Sequence, residues 1–88
     1  MNNKDLFERI QKEQNNVNFN DFIKLVEAFG YVQLKKKVSG SHSHQYLHKT
    51  YPTSYLNLQP DGKEAKPFQI KQFLKQVKKY GLVLENDK

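Results

Sequence analysis

With 88 residues and a formal net charge of +6, the chain has room for one small domain and a modest core, because a chain of this length buries only about 60 to 65% of its unfolded surface. It has no cysteine, which excludes disulfides and thiolate chemistry and suits a reducing compartment. The opening MNNKDLFERIQKE lacks an apolar core of signal-peptide length, and nowhere do about 18 apolar residues run together, so the expectation is a protein of the cytoplasm with no membrane partner.

Residues 5 to 14 predict a short helix with Leu6, Phe7 and Ile10 on one side, broken by NNVN. Asn18 then caps a second helix, with Asp21 in its first turn. Phe19, Phe22, Ile23, Val26 and Phe29 follow helical spacing, and Gly30 ends the run. From Tyr31 to Val38, Val32, Leu34 and Val38 alternate with Lys35 and Lys37, the pattern of a half-buried strand. Ser39-Gly40-Ser41 reads as a turn, and His44, Tyr46 and His48 set against Gln45 and Leu47 read as a second strand. Residues 49 to 53 are a loop, 54 to 59 a third strand, and Pro60-Asp61-Gly62 a turn. The last helix begins at Pro67, carries Ile70, Phe73, Leu74 and Val77 as its apolar stripe, and stops at Gly81.

Strands that follow one another through short turns pair antiparallel. The expected product is an α+β fold: a three-stranded antiparallel sheet with two main helices on one face plus a short extra N-terminal helix, in outline like a double-stranded-RNA-binding domain. Residues 1–17 are expected as an N-terminal helical extension, 18–84 as the domain, and 85–88 as a flexible tail.

The charge is unevenly spread. Residues 1 to 30 sum to −1, whereas residues 31 to 80 hold ten lysines against Asp61 and Glu64 and sum to +8. Such asymmetry favours a polyanionic partner, because neutralising phosphates releases counterions, although a solvated lysine-rich surface has the same composition.

All three histidines fall inside SGSHSHQYLHK, residues 39 to 49. Three readings apply. They form a metal site, they are polar residues on the solvent face of a sheet, or one of them is an acid/base catalyst on a phosphodiester. The metal reading is opposed by the absence of any carboxylate between Glu27 and Asp61, since metal-bound imidazoles need second acceptors to fix their tautomers. The catalytic reading requires no metal or cofactor: a histidine titrating near neutrality takes the proton of a ribose 2′-hydroxyl while lysines stabilise charge on phosphorus.

A helix ending in EAFGY, a lysine-rich strand, the turn SGSH followed by Tyr46 and His48, and then LNLQPDGKEAKPFQIKQFLKQVKKYGL together resemble the HicA-type toxins, messenger-RNA-cleaving members of bacterial toxin-antitoxin pairs. The resemblance covers about residues 18 to 84. It implies the double-stranded-RNA-binding-like fold, metal-independent endoribonuclease activity on messenger RNA, and neutralisation by a HicB-like antitoxin. Gly40, Ser41 and His42 match the family's Gly-Ser-His signature, whose histidine is catalytic. HicA-like sequences place an aromatic three residues after that histidine, whereas Tyr46 lies four after His42. One extra residue flips every later side chain unless a bulge absorbs it, so His44 is the alternative catalyst. Ser41 would orient the histidine or hold a phosphate oxygen. Lys35, Lys36 and Lys37 would contact phosphates, Tyr46 would stack on a base or belong to the core, and His48, Tyr46 or water would protonate the leaving oxygen. The competing reading of the whole chain is a non-catalytic RNA-binding module of the same fold; a third is an interaction protein whose basic face takes an acidic partner.

Overall fold

A computed structural model of the chain describes residues 2–34, 44–51 and 54–85. Helix α1 (Asn3–Lys12) starts where Asn2 Oδ1 accepts the Asp5 N–H at 2.8 Å, so an asparagine cap sets its beginning ahead of Asp5. Helix α2 (Phe19–Ala28) is capped as its sequence requires, with the Asp21 N–H donating to Asn18 Oδ1 at 3.0 Å. It buries Phe19, Phe22, Leu25 and Val26. Gly30 ends it at φ +97, and a Cβ there would lie 2.9 Å from His48 Nε2, so both conformation and space demand glycine.

Three strands follow: β1 (Tyr31–Gln33), β2 (His44–His48) and β3 (Tyr55–Leu58), antiparallel in the order β1-β2-β3. Tyr31 stands opposite His48 and Gln33 opposite Tyr46; Tyr46 in turn stands opposite Leu56, and His44 opposite Leu58. The pairing is one to one throughout, so no bulge interrupts residues 44–48.

The inner face of β1 differs from the expected one. Tyr31 is buried at 3% exposure while Val32 is 54% exposed, which reverses the face on which the valine was placed. Tyr31 wins the core position because its hydroxyl has partners there: it donates to Gln76 Oε1 at 2.6 Å and lies 2.8 Å from Ser54 Oγ. Strand alternation then turns Val32 outward.

The Pro60-Asp61-Gly62 turn is a small hairpin. Strands β4 (Pro60–Asp61) and β5 (Glu64–Ala65) pair antiparallel around Gly62, whose φ is +64, the positive angle a two-residue hairpin needs. The hairpin clasps the start of α2, since Phe19 N–H donates to the Lys63 carbonyl at 2.9 Å and Ala65 N–H to that of Val17 at 2.7 Å. Helix α3 (Pro67–Tyr80) begins on Pro67 and ends on Gly81, which adopts the left-handed conformation at φ 62.

Among the described residues the architecture is therefore α+β, with the helices gathered on the inner face of a three-stranded antiparallel sheet. Phe73 of α3 is its hub, meeting Phe22, Phe29 and Tyr31 at ring separations of 5.6, 5.3 and 5.9 Å. Such edge-on and tilted pairs add about 0.5–1.5 kcal/mol each to the area they bury. Helix α1 shares this core: Leu6 and Ile10 are buried, and the Phe7 ring lies 4.8 Å from that of Phe29. At the other end, Glu85 N–H donates to the Ala28 carbonyl at 2.7 Å, which ties the segment after α3 to α2. Among the described residues no helix is long and apolar enough to cross a membrane.

Ile10 has no exposed surface, so Ile10→Ala is expected to cost about 2–4 kcal/mol in urea unfolding. A loss below about 0.5 kcal/mol would show that α1 rests on a core complete without it.

Candidate nucleic-acid interface

The residues expected to carry chemistry fall mostly on the link between β1 and β2. Lys35, Lys36, Lys37, Ser41 and His42 lie outside the described residues. His44 is the first residue of β2, at the register position opposite Leu58. The two ends of the link are fixed closely together: Gln33 stands opposite Tyr46, and Leu34 N–H donates to the Gln45 carbonyl at 2.7 Å.

His48 is buried, at 4% exposure. Its Nδ1 accepts the N–H groups of Thr50 at 3.1 Å and Tyr51 at 3.4 Å. The ring proton therefore sits on Nε2, which donates to the Phe29 carbonyl at 2.8 Å. Tyr31 packs edge-on to the imidazole at 5.2 Å, and Tyr51 lies across it at 5.4 Å. Both nitrogens are thus engaged inside the molecule, at the opposite end of β2 from the link, and His48 is a structural tie between β2 and the end of α2. Nothing in the alternation HQYLH distinguishes such a histidine from a surface one; the signal was its placement opposite Tyr31.

Tyr46 is likewise inside, at 1% exposure, so its ring belongs to the core and not to a stacking platform. Burial, and then the negative charge of Glu27, pushes its hydroxyl up to about 12. Burial also raises the Tyr31 hydroxyl, against the opposing effect of the Ser54 hydroxyl beside it.

A groove opens beside Tyr46. Helix α2 contributes Asn20, Ile23 and Glu27, one helical stripe, while the sheet end contributes Gln33 and the edge of Tyr46. The β4–β5 hairpin closes the far side with Gly62 and Lys63. The groove thus adjoins the strand ends from which the link departs. Of its residues the sequence singled out Tyr46 as a candidate base contact and Ile23 as part of an apolar stripe; Asn20, Glu27, Gln33 and Lys63 carried no pattern of their own.

The lysines are divided between layers. Lys71, Lys75, Lys78 and Lys79 are exposed on α3, on the side away from its buried Ile70 and Phe73. Lys79 Nζ lies 5.3 Å over the Tyr80 ring, which stacks on Tyr51 at 5.2 Å. The outer face of the sheet carries an apolar row, with Val32 opposite Leu47 and Leu47 opposite Tyr55. Among the described residues no three His, Cys, Asp or Glu side chains come together as a metal would require.

Because the folded state holds phenolic protons that an unfolded chain releases near pH 10, these buried tyrosines stabilise the fold fully below that pH and lose their effect as pH rises towards about 12. Urea unfolding between pH 9 and 12 is expected to show falling stability, with a shallower fall in Tyr46→Phe; an identical slope in that variant would mean the Tyr46 hydroxyl titrates as it does in water.

Compared with known proteins, the chain matches no family model, no curated protein and no solved structure.

Proposed function

We propose that the chain is a metal-independent endoribonuclease of the HicA type, the toxin of a bacterial toxin-antitoxin pair, acting on messenger RNA in the cytoplasm and neutralised by a HicB-like antitoxin. One observation carries this reading beyond the resemblance. The ends of β1 and β2 are paired at Gln33 and Tyr46 and hydrogen-bonded at Leu34 and Gln45, a closure that two to five residues normally complete. Here residues 35 to 43 make the connection, and they include Lys35, Lys36, Lys37, Ser41 and His42. A connection longer than its geometry needs, loaded with cations and a histidine and held by a rigid scaffold, is where binding and catalytic groups concentrate.

In the mechanism this supports, His42, or His44 in its place, removes the proton of a ribose 2′-hydroxyl. The 2′-oxygen attacks the adjacent phosphorus, and the bond to the 5′-oxygen breaks. That oxygen takes a proton, leaving a 2′,3′-cyclic phosphate on one fragment and a 5′-hydroxyl on the other. Lys35, Lys36 and Lys37 neutralise phosphates and stabilise the charge that builds on phosphorus. With Tyr46 and His48 buried and His48 engaged at both nitrogens, water is the donor to the leaving oxygen that fits best.

The test is cleavage of a mixed-sequence single-stranded RNA in EDTA by the wild type, His42→Ala and His44→Ala, each checked for native circular dichroism. Loss of a general base costs about 10²–10⁴-fold, and one variant alone should show it, with product ends mapped as cyclic phosphate and 5′-hydroxyl. A wild type that binds RNA with steep salt dependence but never cuts it would leave the non-catalytic module instead.

A further inference from the structure

The groove between α2 and the β4–β5 hairpin has a polarity that selects its ligand. Among the described residues that line it, Glu27 is the one carboxylate and Lys63 the one ammonium. They stand on different walls, Glu27 on the last turn of α2 and Lys63 beside Gly62 on the hairpin. The amides of Asn20 and Gln33, the side chain of Ile23 and the edge of Tyr46 also line the groove. The space is about 420 Å³, within the roughly 300–1,000 Å³ range of small-ligand clefts.

A ligand complementary to this arrangement has a donor edge at one end, a flat body, and an anion at the other. Guanine nucleotides fit. The Watson–Crick edge of guanine presents two adjacent donors, N1–H and the N2 amino group, which a carboxylate accepts side by side. Adenine and cytosine each offer one amino group next to a ring-nitrogen acceptor, which would face the second carboxylate oxygen and repel it. Uracil has a single N–H between two carbonyls. Side-by-side hydrogen bonds to an ionised acceptor are the stronger and more selective kind, and unpaired RNA bases are read on this edge.

We infer that the groove is a guanine-selective base subsite, in which an unpaired guanine of the RNA places its Watson–Crick edge on Glu27 and its phosphate towards Lys63. The inference rests on RNA being the ligand in the function proposed above, and not on cleavage. Gln33, at the last position of β1, puts the seated nucleotide at the root of the β1–β2 link. Glu27 is thereby the specificity-determining residue.

The test is an amide NMR titration of the ¹⁵N-labelled full chain with 3′-GMP, 3′-AMP, 3′-CMP and 3′-UMP, repeated on Glu27→Gln. Glu27 is exposed, so the variant is expected to keep the wild-type spectrum outside the groove. 3′-GMP should shift the amides of Asn20, Ile23, Gln33, Gly62 and Lys63 and bind about tenfold or more tightly than the other three, the discrimination a good bidentate contact gives. Glu27→Gln should erase that preference while leaving the weaker nucleotides unchanged. Equal affinities, shifts confined to other surfaces, or a preference that survives Glu27→Gln would overturn the subsite. RNA cleavage without any preference for guanine and without groove shifts would overturn it while the nuclease reading stands. Groove shifts and guanine preference in a protein that cuts no RNA would uphold the subsite and remove the nuclease.

Discussion

The fold turns on one buried hydrogen bond, from His48 Nε2 to the Phe29 carbonyl. That carbonyl belongs to the capping residue of α2, where the chain swings through Gly30 into β1. Helix ends leave carbonyls without helical partners, and a buried one must find a donor elsewhere. The imidazole supplies it from the neighbouring strand, and the Lys49 N–H repeats the stitch to the Gly30 carbonyl at 3.0 Å. Glu85 closes the corner from outside, through its backbone to Ala28 and its side chain to Lys49. The register of β2 against β1 thus follows from the way α2 ends, and the far end of that register sets where the long link begins.

A second polar arrangement does the same for α3. Gln76 Oε1 receives both Tyr31 and Ser54, at 2.6 and 2.7 Å, while its amide donates to the Tyr55 carbonyl at 2.8 Å. One side chain of α3 therefore bonds the edge strand β1, the turn before β3 and β3 itself. Gln69 repeats the pattern one end away, accepting the Gln59 N–H at 3.0 Å. The aromatic core around Phe73 supplies most of the driving force, but apolar contact is non-directional. These satisfied polar contacts are what hold the helix at one angle over the sheet.

The elements were legible where local chemistry decides them. Asn18, Gly30, Pro67 and Gly81 mark helix ends through groups within four residues of themselves, and Phe19, Phe22 and Val26 of α2 and Ile70 and Phe73 of α3 bury as their spacing requires, while Ile23 is half-buried at the groove. Local pattern failed where a long-range partner decides. Val32 and Tyr31 compete for the inner face, and the winner depends on Ser54 and Gln76, residues far along the chain. His48 and His44 are indistinguishable by pattern, yet His48 meets Phe29 from across the sheet. The shared core of α1 was hidden for the same reason: Phe7 is explained by Phe29 and Phe73, not by its own helix.

The same division bears on function. A basic, histidine-bearing link is visible in the sequence because its residues are contiguous, whereas a groove assembled from α2, a strand end and a hairpin is visible only once folded. A chain of 88 residues cannot enclose a polymeric ligand, so selectivity on its surface has to come from a few groups held rigidly side by side. The hairpin is anchored to the start of α2 through Phe19 and Ala65, and α2 is anchored to the sheet through His48. Glu27, Gln33 and Lys63 therefore keep fixed relative positions even though each comes from a different element. The rigid groove and the cationic connection thus meet at the paired ends of β1 and β2, where Gln33 stands opposite Tyr46.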